Sequence, residues 1–170
     1  MKNKRLIYQR SGLLVILCLL MTVNSNAQTN SNFTGSWAYN ESKSKLAEGG
    51  FRMVSQKLTI TQTEKSFTLE RTYAGQDGEE RKTTETYTLD GKESVNPFFN
   101  TAKKSTATWS ADKKSLSVSS VMVFERDGEK TEIKTVEVFK LTDADKTLSV
   151  DSQSSSSMGE RKATLVYDKK

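Results

Sequence analysis

Among the side chains that alternation turns inward, those that could do chemistry are few: the carboxylates Glu85 and Glu137, the guanidinium of Arg71, and phenols such as Tyr73 and Tyr87. The chain has no histidine, and its single cysteine, Cys18, sits in an apolar N-terminal run. Most metal sites, the Ser–His and Cys–His nucleophile systems and the commonest acid–base side chain are thereby removed. Two carboxylates can still divide general acid and general base work between them. Both also have plain structural roles open to them, because Arg71 can pair with Glu85 at a barrel mouth. No glycine-rich loop follows a strand and opens a helix, so nucleotide-binding motifs are missing. The reading is a non-enzyme with no catalytic residue, no metal and no cofactor.

Strands must position these groups. The chain runs as short alternating segments near 33–39, 52–62, 66–74, 80–90, 103–110, 115–125, 130–141, 147–152 and 160–168. "TEKS", "QDGE", "ADKK", "RDGE" and "DADK" separate them. Even spacing with such punctuation predicts an all-β fold, an up-and-down antiparallel meander of eight to nine strands closed into a barrel. Side chains alternate between the faces of a strand, and directly paired residues share a face. A two-residue turn at Asp127-Gly128 pairs Arg126 with Glu129. Phe124 then meets Thr131, Met122 meets Ile133 and Leu116 meets Phe139. Four-residue loops bring Leu58 to Arg71, Ile60 to Leu69, Trp109 to Leu116 and Leu141 to Leu148. A slip of one residue would ruin each match.

The 66–74 and 80–90 pair needs an odd loop, because Phe67, Leu69, Tyr73, Tyr87 and Leu89 are all odd-numbered. A three-residue loop at Asp77-Gly78-Glu79 pairs Arg71 with Glu85; a five-residue loop breaks that pair. On the opposite face lie Lys57, Glu70, Lys82, Glu125, Glu132, Lys134 and Lys140, which suits a solvated exterior. A membrane barrel would instead expose Arg71, Glu85 and Glu137 to lipid, at a cost of about 2–4 kcal/mol for an arginine at mid-depth. No membrane insertion is expected.

The inward face mixes materials. Small residues, Ser105, Ser120 and Thr135, leave space, while Arg71, Tyr73, Glu85, Tyr87 and Glu137 bring polarity. Trp109, Met122 and Phe124 supply apolar wall. Inward charges need partners or water, and space with a few placed polar groups is the usual make-up of a ligand site. A small hydrophobic or amphiphilic ligand with its polar end near Arg71 and Tyr73 is the implied partner. The alternative is a filled barrel that works as a protein-interaction module of the cell envelope. On the outer face Val121, Val123, Val136 and Val138 cluster on neighbouring strands, a contact patch for a second copy, for the "NESKSKLAEGGF" segment or for another envelope protein.

The N-terminus reads as a leader. Lys2, Lys4, Arg5 and Arg10 precede the apolar run Leu13 to Val23, and Ser25-Asn26-Ala27 offers a cleavage site, so residues 1–27 form a signal peptide. Residues 28–32 form a linker and 33–170 the barrel domain. Bulky neighbours around Cys18 argue against lipid attachment there. Of the 26 basic residues the leader holds four, leaving 22 against 21 acids, a net charge of +1. The apparent basicity therefore carries no nucleic-acid signal. An exported protein, periplasmic or extracellular, follows.

"TGSW" in the first strand, the meander of hairpins after it and the closing "ATLVYDKK" resemble the lipocalin-like, calycin-type secreted bacterial barrels. The resemblance implies that Trp37 closes one end of the barrel, that Gly35 permits close backbone approach there, and that an arginine near the last strand packs on the indole. Arg161 is the candidate. It also implies a small hydrophobic ligand.

Overall fold

The structure, a computed structural model, describes residues 29–46, 54–75, 78–98, 100–126 and 128–170. The expected leader, the first residues of the strand at 52–62 and Asp127 of the Asp127-Gly128 turn lie outside the described residues. The elements are β1 (Gly35–Tyr39), a single 3₁₀ turn (Glu41–Lys43), β2 (Lys45–Leu46), β3 (Lys57–Gln62), β4 (Ser66–Ala74) and β5 (Glu80–Thr88). They continue as β6 (Glu93–Phe98), β7 (Thr101–Trp109), β8 (Ser115–Arg126), β9 (Glu129–Thr142), β10 (Thr147–Ser156) and β11 (Gly159–Lys169). One antiparallel sheet runs β5-β4-β3-β1-β11-β10-β9-β8-β7-β6 and curls into a nearly closed barrel, with the short β2 also paired to β11.

The registers follow from alternation. Phe124 pairs with Thr131, Met122 with Ile133 and Leu116 with Phe139. Leu58 pairs with Arg71 and Ile60 with Leu69, Trp109 with Leu116, and Leu141 with Leu148. Outward Lys57, Lys82, Glu125, Glu132, Lys134 and Lys140 are exposed, as the parity of their strands requires.

Two departures are instructive. The β4–β5 connection is the longer loop: Ala74 pairs with Glu80, so Arg71 faces Thr83 and Glu85 faces Leu69. Parity allows three or five residues in that loop, and packing chooses between them. The longer loop sets Phe67 opposite Tyr87, with ring centres 6.2 Å apart and stacked. Gly78, at φ +81°, turns the chain in the left-handed region.

The second departure is β6, a tenth strand in the circuit. Its "ESVNPF" sequence hides it, since Pro97 breaks the pattern and Asn96 puts an amide where an apolar residue is expected. β6 has a ladder only with β7, which is where proline is tolerated. Towards β5 the circuit is closed by side chains. Thr86 N–H donates to Asn96 Oδ1 (2.8 Å), Asn96 Nδ2 donates back to the Thr86 carbonyl (3.1 Å), and Thr88 N–H donates to Ser94 Oγ (2.9 Å). The Asn96 amide thus stands in for a missing peptide group.

One end of the barrel is packed with rings. Phe33 stacks on Trp109 (5.8 Å) and meets Phe67 edge-on (6.0 Å), and Phe67 lies 5.3 Å from Phe139. The segment before β1 is pinned across this end by Gln62, whose Oε1 accepts from Phe33 N–H (3.0 Å) and whose Nε2 donates to the Ser31 carbonyl (2.9 Å). Trp37 is fully buried there and its indole N–H donates to the Phe33 carbonyl (3.0 Å). A Cβ on Gly35, at φ +150°, would lie 3.4 Å from Lys169 Cε and 3.6 Å from Trp37 Nε1. Those are ordinary contact distances, so the glycine serves the backbone angle and not the close approach that the sequence resemblance implies.

Candidate functional site

Beyond the ring-packed end the interior opens into a cavity of about 330 Å³. Its floor is a buried ionic quartet drawn from four strands. Arg71 of β4 reaches across the barrel to β9, its Nη2 donating to Glu137 Oε2 at 2.7 Å, while its Nε lies 3.6 Å from Glu85 Oε2. Lys103 of β7 places Nζ 2.7 Å from Glu85 Oε1. All four side chains are at most 10% exposed. Two cations face two carboxylates, so the floor is neutral as a whole. Charges taken this far from water persist only when each has a partner.

The proton equilibria reflect that pairing. Burial alone would raise the Glu85 carboxyl, but Lys103 and Arg71 outweigh it and hold it below its ordinary range. Burial alone would lower Arg71; Glu137, with the phenols of Tyr73 and Tyr87 and then Glu85, holds it above. Burial pushes Tyr73 and Tyr87 upward. Tyr167 is pushed up to about 12 by burial, against the opposing hydrogen bond with Ser55 Oγ at 3.0 Å. Glu85 and Glu137 are thus a carboxylate pair bridged by a guanidinium. A general acid at neutral pH needs a raised carboxyl, and Glu85 moves the other way.

The walls are more apolar. Met122, Ile133 and Leu165 line the cavity with Phe98, and Thr135, Ser152 and Ser154 add hydroxyls. Arg161 stands at the mouth, opposite Ser154 on β10, exposed to solvent, and no acid among the described residues pairs with it.

Of the residues singled out from sequence, Arg71, Tyr73, Glu85, Met122, Thr135 and Glu137 line this cavity. Five others are placed elsewhere. Tyr87 is fully buried against Phe67, and Trp109 stacks on Phe33 at the packed end. Ser105 and Ser120 bond to each other at 2.9 Å, so their small size serves a closed polar contact. Phe124 packs edge-on against Phe98 at 6.3 Å. Arg161 is not the cation on Trp37. β11 runs the length of the barrel, and its far end carries Lys169, whose Nζ lies 5.2 Å from the indole centre and whose backbone pairs with Trp37.

Lys103 is the charged cavity residue that the pattern of the sequence does not reveal. Its parity matches Ser105 and Ala107, so alternation pointed inward, but a lysine opening a strand reads as a solvated end. Phe98 is missed with its strand, and Ser55 because it precedes β3.

The outer valines fall into two classes. Val123 and Val136 are exposed (42% and 41%), while Val121 and Val138 are half-buried. Val136 and Val138 border an outer groove of about 500 Å³ with Leu46 and Gln153. The described part of "NESKSKLAEGGF" reaches that groove through β2; its remainder lies outside the described residues.

No family model and no curated protein matches the chain. Two solved structures share its fold. A zebrafish ileal bile acid-binding protein complexed with cholic acid superposes with a TM-score of 0.55 at 16% identity, covering 82% of this chain and all of that one. An SAHS protein from Ramazzottius varieornatus gives a TM-score of 0.52 at 14% identity over 84% of this chain and 98% of that one. The likeness is one of fold: an antiparallel sheet nearly closed into a barrel.

Proposed function

We propose that this protein is a non-catalytic carrier of a small, mainly apolar molecule with a polar end. The observation that carries the reading is the 330 Å³ cavity with an ionic floor and a wall of Met122, Ile133 and Leu165. Pockets for small ligands start at about 300 Å³ and combine apolar lining with a few placed polar groups. A filled barrel would have favoured an interaction module instead. The likeness to a bile acid-binding protein agrees with a lipophilic ligand. Because Arg71 is already engaged by two glutamates, its role is to hold the floor together.

The test is displacement titration with an environment-sensitive fluorescent fatty acid. The wild type is expected to enhance the probe's emission, and Met122→Trp, which fills the cavity from the wall, to abolish the enhancement while leaving the fold intact. No enhancement with the wild type would end the proposal.

Export is a proposal of the same standing, resting on the leader-like residues 1–27. Sequencing the mature N-terminus, expected to begin at Gln28, tests it. A homodimer through the exposed Val123 and Val136 is a separate proposal. Sedimentation of the Val123→Lys, Val136→Lys variant beside the wild type reads it, and equal monomeric behaviour of the two counts against it.

A further inference from the structure

The cavity's charges are divided by depth. On adjacent strands Thr135, Ser154 and Arg161 form one inward row, and Glu137, Ser152 and Ala163 form the next row towards the packed end. The rows are two residues apart along each strand, roughly 7 Å. At the deeper level the Arg71, Glu85, Lys103 and Glu137 quartet is balanced, two positive against two negative. At the outer level Arg161 is a cation that no acid among the described residues neutralises.

A balanced quartet is a poor host for another full charge. An added carboxylate there would have to displace Glu85 or Glu137 from a buried partner, and breaking a buried pair is costly. The quartet nonetheless retains hydrogen-bonding capacity. A guanidinium carries five N–H groups and an ammonium three, and a carboxylate has about four acceptor positions. The contacts within the quartet use only part of these. A neutral hydroxyl, donor and acceptor at once, matches such a surface, whereas a methyl group pressed against it would leave desolvated polar groups unpaired. Arg161 offers the complementary feature, an unneutralised fork suited to a carboxylate at the water's edge.

We infer that the ligand is polar at both ends: an anionic head held at the mouth by Arg161, and a neutral hydroxyl seated on the Arg71–Glu85–Lys103–Glu137 floor. This rests on the carrier reading and specifies its ligand class as hydroxylated amphiphilic acids. It also sets the orientation, with the charge outward and the hydroxyl inward.

Calorimetric titration with three probes, decanoate, ω-hydroxydecanoate and α,ω-decanediol, tests the inference on the whole chain. For the wild type, ω-hydroxydecanoate is expected to bind about ten-fold more tightly than decanoate, the scale of one hydrogen bond to a charged group. Arg161→Gln is expected to weaken both acids about ten-fold and to leave the diol unchanged. Arg161 is exposed at the mouth, so the variant keeps its fold, which far-ultraviolet circular dichroism checks. If decanoate binds as tightly as ω-hydroxydecanoate, the hydroxyl seat is wrong. If Arg161→Gln leaves the acids unaffected, or weakens the diol equally, the anionic head is not at the mouth. In either case binding itself survives. If none of the three probes binds the wild type, the carrier reading fails and this inference goes with it.

Discussion

Around Phe33 the barrel interior holds stacked and edge-on rings, whereas around Arg71 it holds four paired charged groups beneath a cavity. The same strands build both halves, and β9 contributes Phe139 to one and Glu137 to the other, two residues apart. Backbone geometry therefore does not distinguish the ends; the inward side chains do. Rings bury large apolar area without needing partners, so they supply stability and exclude ligand. Charges must be paired to stay, and they fix position more than they stabilise. The packed end makes the barrel a barrel, and the charged end borders the cavity on which the carrier proposal rests.

The sharpest way to break that comparison is at Trp37. Trp37→Ala removes a fully buried indole and its hydrogen bond to the Phe33 carbonyl. A loss of about 3–5 kcal/mol is expected, read by chemical denaturation. A loss under about 1 kcal/mol would mean that the ring-packed end does not carry the stability assigned to it.

Next in size is Arg71→Met. It leaves Glu137 without the ion pair that Arg71 supplies and weakens the setting of Glu85. Removing one partner of a buried pair costs about 3 kcal/mol at the lower end of the usual range. The fourfold change Arg71→Met, Glu85→Leu, Lys103→Met, Glu137→Leu should recover most of that stability, since a buried ionic set can be replaced by apolar groups at little cost. If the fourfold variant is less stable than Arg71→Met alone, the quartet is a source of stability and the contrast between the ends dissolves.

The acid limb separates the ends through pH. In the unfolded chain Glu85 takes its proton near its ordinary 4.5. In the fold Lys103 and Arg71 keep it ionised to lower pH. Below about 4.5 the unfolded state binds the extra proton, so stability is present above that value and falls with acidification by up to about 1.4 kcal/mol per pH unit. Glu85→Gln should be less stable at neutral pH and show a shallower acid limb. Stability curves of the two proteins from pH 7 to pH 3 make the comparison, and parallel limbs would remove Glu85 from the linkage.

How much of this was legible depended on whether parity or loop length carried the information. Alternation fixes faces, so the inward placing of Leu58, Arg71, Glu137 and Phe139 could be read directly. Turns with strong signals, such as Asp127-Gly128, also fix register. The β4–β5 loop admits two registers of the same parity, and the one adopted sets Phe67 on Tyr87. The ion pair expected between directly opposed Arg71 and Glu85 is diagonal for that reason, and the main partner of Arg71, Glu137, comes from across the barrel. A contact between strands far apart in sequence leaves no local pattern. β6 was illegible because its closure onto β5 uses the side chains of Asn96 and Ser94, which no strand propensity registers.

The smallest effect tests which cation belongs to which end. Lys169 Nζ over Trp37 is a partly solvated cation–π contact, worth about 0.5–1 kcal/mol. Arg161 has no ion pair and no ring beneath it among the described residues, so its contribution to folding should be near zero. Lys169→Ala is therefore expected to lower stability by about 0.5 kcal/mol and leave ligand titrations unchanged. Arg161→Ala is expected to do the reverse. Paired denaturation and titration of the two variants separate the roles, because each predicts a null in the assay where the other responds. A stability loss on Arg161→Ala, with none on Lys169→Ala, would return the indole's cation to the mouth of the barrel and undo the division of labour between the two ends.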